Sequence, residues 1–392
     1  MNPRFFETYE ANEKNAKTKS LFFRAFFTTL SIGLIACILF NIHINPWGNY
    51  GDEGAFILYN DRKAKSEYLS SLKKNEPNKN IDTFILGSST VLSFKSSTVK
   101  KLWGGEVFNL GCFFAGSEES YSWLKHLVEE LNFKPKRIIV GLETWSFSQH
   151  VNGPLFYKDY RRRFLNTPQL SKYIEGYSSF KNFCSKSFDS ISWQQLQTSW
   201  TLKTRELKEQ PDFLASSIFN VDGSAISYSK QADSAFIPKE INDFYHGLDY
   251  HKKRTQSESA FINKSLRLNV IPISHVRVFC PGNQLSKERL KRFEHLVAYC
   301  EKNDIKLIPI LMPTHPYFYD ILSSKTHHQQ FLQGIREQVS SYAEQYRAID
   351  KLIDASHIQK FDGLAHAFHD RFHMGPRNTD KLLKFVHKSS IK

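Results

Sequence analysis

A short cluster of hydroxyl side chains follows one of the strongly apolar segments of the chain. Ile81–Leu86 is followed directly by Gly87, Ser88, Ser89 and Thr90. Glycine permits a tight turn at a strand end, and a serine that begins the next helix lies beside free backbone N–H groups that can stabilise an oxyanion. The pattern indicates a nucleophilic serine, Ser89, with Ser88 beside it in the pocket. The alternative interpretation is an ordinary serine cap of a helix.

A nucleophilic serine needs a general base, and the chain contains three Asp-x-x-His pairs of suitable spacing. They are Asp243/His246, Asp354/His357 and Asp370/His373. In such a pair the carboxylate orients the imidazole, which takes the proton from the serine. Asp370/His373 lies after the last predicted strand and directly before the last predicted helix, so we predict that this pair completes the site. Asp354/His357, also at a strand end, is the alternative.

Other polar residues also lie at predicted strand ends. Asn109 and Gly111 follow the second strand, where a glycine lets a backbone N–H approach a reacting carbonyl oxygen. We therefore predict the N–H groups of Ser89 and Gly111 as the oxyanion hole and Asn109 as a pocket residue; an ordinary turn is the alternative.

His315, in a Pro-Thr-His-Pro segment, is a further pocket candidate, and a rigid loop is the alternative there. We predict no cofactor and no metal site, because the His and Asp residues at 362–370 match no zinc-binding spacing.

The segments that must position these residues alternate between strand and helix patterns. The predicted strands are Ile81–Leu86, Val107–Leu110, Arg137–Leu142, Lys306–Met312 and Lys351–Ile353. Helical periodicity predicts helices over Asp61–Lys73, Leu285–Asn303, His327–Tyr346 and Asn378–His387, with further helices after the first and second strands. This alternation implies right-handed crossovers and an α/β fold with a parallel sheet of about five strands. Functional groups collect at the carboxyl edge of such a sheet.

Residues 148–280 interrupt the alternation. They are rich in aromatic residues and short helical patterns, and they offer no clear strand alternation. A structureless loop of this length is implausible in a compact domain. We therefore predict a mostly helical insertion between two parts of one domain, 45–147 and 281–392.

The N-terminal region predicts a membrane anchor. Residues 25–44 contain no Asp, Glu, Lys or Arg, and a helix of this length spans about 30 Å, the hydrocarbon thickness of a bilayer. Basic residues precede the segment and acidic residues follow it, which places residues 1–24 in the cytoplasm and the rest of the chain outside the cytoplasmic membrane, in a periplasm or at a cell surface. A buried core helix would show a polar stripe, and a cleaved signal peptide would show small residues at its cleavage site; the segment has neither.

Composition and charge narrow the class of partner. The 392 residues are 41% hydrophobic and 23% charged, which excludes a disordered polar chain and a polytopic membrane protein. The net charge of +14 would ordinarily point to nucleic acid. For a basic domain outside the cytoplasmic membrane, anionic lipid headgroups or acidic polysaccharide are better-suited partners, and we predict no nucleic-acid partner. A cytoplasmic nucleic-acid binder with an apolar core helix is the least favoured reading.

Taken in this order, the serine turn, the glycine after the second strand and the C-terminal Asp-x-x-His resemble the SGNH/GDSL hydrolase family. The resemblance covers roughly residues 81–145 and 285–392. It implies a three-layer α/β/α, flavodoxin-like fold with Ser89 as nucleophile, His373 as base and Asp370 as its orienting carboxylate. The N-terminal anchor and the segment Ile44–Gly48 look most like membrane-anchored relatives that D-alanylate teichoic acid or O-acetylate alginate or peptidoglycan, and this implies a membrane acyltransferase as a partner.

One position departs from the family pattern. The family's third block, Gly-x-Asn-Asp, aligns with residues 141–144, so Glu143 stands where an asparagine amide would donate to the oxyanion. An ionised carboxylate repels developing negative charge, whereas a carboxyl kept protonated by burial can donate.

From the family resemblance we expect a serine esterase or O-acyltransferase acting on a cell-envelope glycan or a related acyl ester. The alternative is a glycan-binding or scaffold protein with the same fold and no turnover.

Overall fold

The computed structural model describes residues 3–45, 49, 61–148, 164–174, 178–206, 222–223, 284–368 and 372–391. The chain forms two compact units. The smaller unit comprises Met1–Leu58 and Ser178–Pro211, and the larger unit comprises Tyr59–Tyr177 and Asp212–Lys392.

In chain order the elements are α1 (Pro3–Ile44), α2 (Asp61–Asn75), β1 (Thr83–Leu86), α3 (Ser96–Trp103), β2 (Val107–Asn109), α4 (Ser117–Lys125), β3 (Arg137–Leu142), α5 (Pro168–Ser171), α6 (Ser179–Ser190), α7 (Trp193–Glu206), α8 (Lys287–Lys302), β4 (Lys306–Leu311), α9 (Pro316–Lys325), α10 (His328–Gln345), β5 (Ile353–Asp354) and α11 (Pro376–Ser390). Short 3₁₀ turns follow β1, β3 and β5, over Ser89–Val91, Thr144–Phe147 and Ile358–Phe361.

The larger unit contains a five-stranded sheet in the order β2-β1-β3-β4-β5, in which every neighbouring pair is parallel. The prediction of an α/β fold with a parallel sheet of about five strands is confirmed. After β1 the chain crosses to β2 on one side and then returns to β3 on the other side. The direction of winding therefore reverses between β1 and β3, which is the position where open α/β sheets form their ligand crevice.

Strand side chains alternate between two hydrophobic clusters. Phe84 and Leu86 of β1 belong to the first cluster, which also receives side chains from α4, α8 and α10. Ile85 belongs to the second cluster, together with side chains from α3, α9 and α11. Because the strands are buried on both faces, their sequences are continuous apolar runs rather than alternating ones. Full burial of a side chain such as Phe84 contributes about 1.5–3 kcal/mol.

The smaller unit contains α1, α6 and α7. Within α1, the 28 residues Lys17–Ile44 form a helix long and apolar enough to cross a membrane, and its apolar side chains are mostly exposed. This segment includes the predicted span 25–44.

The predicted insertion 148–280 contributes to both units. Residues 164–174 and 222–223 belong to the larger unit, and α6 and α7 belong to the smaller one. The elements described in this part of the chain are helices. Residues 149–163, 175–177, 207–221 and 224–283 lie outside the described residues.

Candidate active site

The turn after β1 presents Ser89 at the carboxyl end of the sheet. Gly87 has a φ of +136°, and a Cβ there would lie 3.0 Å from the carbonyl oxygen of Gly141 on the neighbouring strand β3. Only glycine therefore fits this tight path. Ser88 caps the following 3₁₀ turn, since its Oγ accepts a hydrogen bond from the Thr90 N–H at 3.4 Å. Ser89 begins that turn and is 9% exposed.

The imidazole of His373 reaches Ser89 across 284 residues of sequence. Its Nε2 lies 2.8 Å from the Ser89 Oγ, so the hydroxyl can pass its proton to the ring. The segment that carries His373 precedes α11 and pairs with the residues before it, through a bridge between Phe368 and Met374 and a 2.8 Å hydrogen bond from the Gly375 N–H to the Ala367 carbonyl. The buried Asn378 amide in turn holds those residues, since it donates to the carbonyls of Leu364 and Ala367 and accepts the Leu364 N–H. The predicted nucleophile and base are thus brought together on a fixed backbone.

The alternative pair Asp354/His357 has a different arrangement. Asp354 accepts hydrogen bonds from Arg336 at 2.8 Å and from Ser356 and Lys360, and it does not bond His357. Burial would raise the pKa of Asp354, but these donors outweigh it and lower that pKa to about 2. The His357 ring packs edge-on against Tyr319 instead. Asp354 therefore serves an ion-pair cluster and orients no imidazole.

Several predicted residues lie outside the described residues. They are Asp370 of the favoured pair, both members of the pair Asp243/His246, and His369, which belongs to the His and Asp residues that match no zinc-binding spacing. Over the described ranges, no group of three His, Cys, Asp or Glu side chains is close enough to hold a metal ion.

Glu143 directly follows β3 and lies under the serine turn. Its Oε1 accepts hydrogen bonds from the Ser88 and Thr90 hydroxyls, and its Oε2 is buried without a hydrogen-bond partner in the described part of the chain. Burial raises the pKa of Glu143 to about 7, although the two hydroxyls and the nearby His373 favour the ionised form. Near neutral pH the carboxyl therefore exists in both protonation states.

The segment after β2 differs from the expectation for an oxyanion hole. The Gly111 N–H donates to the Asn109 Oδ1 at 2.8 Å, so the predicted oxyanion donor is already engaged. The Asn109 amide also donates to the carbonyls of Val91 and Phe94, and its side chain is fully buried away from the cavity. By contrast, the Ser89 N–H has no acceptor among the groups that the structure describes. Asn109 thus shapes the turn and does not line the pocket.

Two buried cations of α2, which the sequence did not reveal as site residues, hold this same segment. The Lys65 Nζ donates to the carbonyls of Asn109 at 3.0 Å, Gly111 at 2.7 Å and Gly223 at 2.8 Å. Burial lowers the pKa of Lys65. Three converging carbonyl dipoles compensate part of the cost of burying an ammonium group.

The second cation, Arg62, is fully buried one turn before Lys65. Its guanidinium pairs with Glu119 at 2.6 Å and Asp61 at 3.0 Å, and it donates to the Phe113 carbonyl at 2.6 Å. The segment between β2 and α4 is therefore held by charge-assisted hydrogen bonds from Lys65 and Arg62 to its carbonyls. The sequence signal for this was the spacing of Asp61, Arg62 and Lys65, which puts charges on the same side of α2 as the apolar Leu69.

Ser89 and His373 line a cavity of about 250 Å³ at the carboxyl edge of the sheet. Ser88, Thr90 and Glu143 complete its polar side. Its walls are largely apolar and include Phe113, Phe114, Trp145, Met312, Leu322, Leu332 and Phe372. An apolar cavity with a small number of convergent polar groups is typical of a small-molecule site.

His315 does not line this cavity. Its ring is buried against Phe368, and its Nδ1 accepts the Tyr317 N–H at 3.2 Å. The imidazole therefore caps the N-terminus of α9, which begins at Pro316. The segment predicted as a rigid loop or pocket wall is the start of a helix.

Comparison with known proteins adds no assignment to this geometry. No protein-family model matches the chain, and no curated protein is significantly similar to it.

Proposed function

We propose that this protein is a membrane-anchored serine esterase or O-acyltransferase of the SGNH/GDSL type, acting on acyl esters of a cell-envelope glycan or a related compound. The observation that supports it best is the 2.8 Å approach of the His373 Nε2 to the Ser89 Oγ in an apolar cavity at the point where the sheet reverses its winding. The two hydrophobic clusters, each with its own helices, support the finer expectation of a three-layer α/β/α domain.

In the proposed reaction the Ser89 Oγ attacks the acyl carbonyl while the His373 Nε2 takes the hydroxyl proton. The tetrahedral intermediate then expels the sugar alkoxide, which takes that proton from the imidazolium and leaves an acyl group on Ser89. Water or a second sugar hydroxyl reverses these steps, and the choice between them separates hydrolysis from transfer. Asp370, three residues before His373, takes the role of orienting the imidazole.

Stabilisation of the oxyanion rests on two groups that face the cavity. The Ser89 N–H is one donor. The second is the protonated Glu143 carboxyl, whose Oε1 is held by two hydroxyls while Oε2 retains hydrogen-bonding capacity. Gly111 donates only after its N–H leaves Asn109, so we assign it a lesser role.

The proposed location follows from α1. Its apolar residues 25–44, within the membrane-length helix Lys17–Ile44, serve as a single-pass anchor in the cytoplasmic membrane, with the N-terminus in the cytoplasm and the larger unit outside. A membrane acyltransferase is the partner that would deliver activated acyl groups to an envelope polymer at that location.

The hydrolysis of aryl acetates by the purified full-length chain tests the catalytic proposal. We expect Ser89→Ala and His373→Ala each to lose at least about 10³-fold in kcat/KM. Ser70→Ala is the matched control, because the Ser70 hydroxyl bonds only its own helix at the Ser66 carbonyl. If Ser89→Ala keeps the activity of the wild type, the proposal is wrong.

A glycan-binding protein without turnover is the second candidate. The engagement of the Gly111 N–H by Asn109, together with a carboxyl at 143, favours it, because both weaken an oxyanion hole. If this candidate is right, folded wild-type protein hydrolyses no ester, and the same protein immobilised on a column retains acidic envelope polysaccharide.

A further inference from the structure

The smaller unit exposes an unusual amount of apolar surface. Within the described residues, every exposed large apolar side chain except Ile391 belongs to α1, α6 or the segment from Ile191 through α7. On α6, α7 and the turn between them these side chains are Phe180, Phe183, Phe188, Ile191, Trp193 and Trp200, with exposed fractions of 46–75%. Among the described residues of the larger unit, the large apolar side chains other than Ile391 are buried or half-buried.

These helices make buried polar contacts, beside a ring contact between Phe40 of α1 and Trp200 of α7. Asn41 of α1 is fully buried, and its side-chain amide donates to the Ser190 carbonyl at the end of α6, at 2.8 Å. Gln195 of α7 is also fully buried and donates to the Asn41 carbonyl at 3.4 Å. Ser199, one turn further along α7, is buried on the same side as Gln195.

The two faces of α7 are therefore inverted relative to a helix of a water-soluble protein. Trp193 and Trp200, seven residues apart, share the exposed face, while Gln195 and Ser199 share the buried one. In water, burial of polar side chains beneath exposed aromatic rings is unfavourable. In lipid, helices associate through small and polar side chains, because apolar burial supplies no driving force there.

Length and position determine how deep these helices lie. α6 has 12 residues and α7 has 14, so they reach about 18 Å and 21 Å and cannot cross a hydrocarbon core of about 30 Å. They contact α1 at Phe40 and Asn41, near the C-terminal end of its apolar segment. Tryptophan and phenylalanine on helices that also carry lysines, here Lys186 within α6 and Lys203 within α7, are typical of helices at the headgroup boundary.

We propose that the helix pair α6 and α7 lies in the interfacial layer of the lipid bilayer, packed through its polar face on the end of α1, with its aromatic face in the acyl chains. The insertion thereby forms a second attachment of the protein to the membrane. This inference rests on α1 being in the membrane and is independent of the chemistry proposed for Ser89.

Tryptophan fluorescence in nanodiscs tests the placement directly. The full-length protein is reconstituted into discs of phosphatidylcholine and phosphatidylglycerol whose acyl chains are either unlabelled or brominated near the headgroup end. Bromine quenches only rings in contact with lipid, and α1 contains no tryptophan in its apolar segment. We expect the double variant Trp193→Phe/Trp200→Phe to lose most of the bromine-dependent quenching seen in the wild type. Trp103→Phe, in the larger unit, is the matched control and is expected to keep it.

Two results would overturn the inference. One is equal bromine-dependent quenching in the wild type and the double variant. The other is emission from Trp193 and Trp200 that is blue-shifted but insensitive to bromine, which would mean that a protein surface or a second copy of the chain covers the rings. Aryl-ester hydrolysis measured on the same discs reports separately on Ser89, so failure of one proposal does not imply failure of the other.

Discussion

The variant Glu143→Gln tests the effect of the negative charge of the buried carboxyl while the shape of the side chain stays nearly the same. Glutamine has the same length, keeps an oxygen that can accept the hydroxyls of Ser88 and Thr90, and adds an N–H₂ group where the buried Oε2 lies. It does not titrate. The variant thus corresponds to a permanently neutral side chain at position 143.

The expected effect on stability depends on pH with a definite sign. Burial raises the pKa of Glu143 from an ordinary value of 4.5 to about 7, so the folded protein binds more protons than the unfolded chain between these values. The free energy of unfolding of the wild type therefore falls as pH rises through this range, by about 3 kcal/mol in total, and the loss is complete above pH 7. The unfolding free energy of Glu143→Gln has no such loss. The difference in unfolding free energy between the variant and the wild type therefore shifts by about 3 kcal/mol in favour of the variant as the pH rises from 4 to 8.

The expected effect on rate has the same origin. Above pH 7 the protonated fraction of Glu143 falls about tenfold for each pH unit. If the acid form donates to the oxyanion, kcat/KM of the wild type declines on the alkaline side, and the glutamine variant stays level there. At pH 8 we expect the variant to be about tenfold faster.

Urea unfolding and aryl acetate hydrolysis at pH 5 and pH 8 measure both effects. Glu344→Gln, which removes an exposed carboxyl on α10, is the matched control and is expected to follow the wild type at both pH values. The reasoning is refuted if the difference in unfolding free energy between Glu143→Gln and the wild type is the same at pH 5 and pH 8.

Three further predictions concern the scaffold and the base. Lys65→Met leaves three buried carbonyls without their donor, and we expect urea unfolding to show a loss of about 2–4 kcal/mol; unchanged stability would contradict this. Gly141→Ala places a Cβ 2.4 Å from the Val91 Cγ1 beneath the serine turn, and we expect thermal unfolding to show a cost of about 1–3 kcal/mol with reduced esterase activity. Asp370→Asn should lower kcat by about 10³–10⁴-fold, whereas Asp354→Asn should lower stability and leave the pH–rate profile unchanged; the reverse pattern would reassign the dyad.

The sheet could be predicted from sequence because its strands are buried on both faces. Each therefore appears as an uninterrupted apolar run, and β3 is predicted with the bounds Arg137–Leu142 that the structure has. The position of Ser89 followed from the glycine that must end β1. Its approach to His373 depended on the order of the strands, which local patterns do not specify.

Three features of the site differ from the sequence-based expectation or lie outside it. The burial of Arg62 and Lys65 depends on carbonyls and carboxylates that only the folded chain brings to α2, and lysine and arginine are ordinarily exposed. The helix α9 begins at Pro316, where the Pro-Thr-His-Pro segment predicts a loop, although proline suits the first position of a helix. The engagement of Gly111 had a local signal, since an asparagine side chain commonly bonds the backbone N–H two residues on.

The most direct test of the account is the site of reaction with a fluorophosphonate, which phosphonylates activated serines. We expect a single adduct on the peptide that contains Ser89, formed much more slowly in His373→Ala and absent in Ser89→Ala. An adduct on another serine, or folded wild-type protein that forms no adduct at any pH from 5 to 9, would contradict the claim that Ser89 is a nucleophile activated by His373.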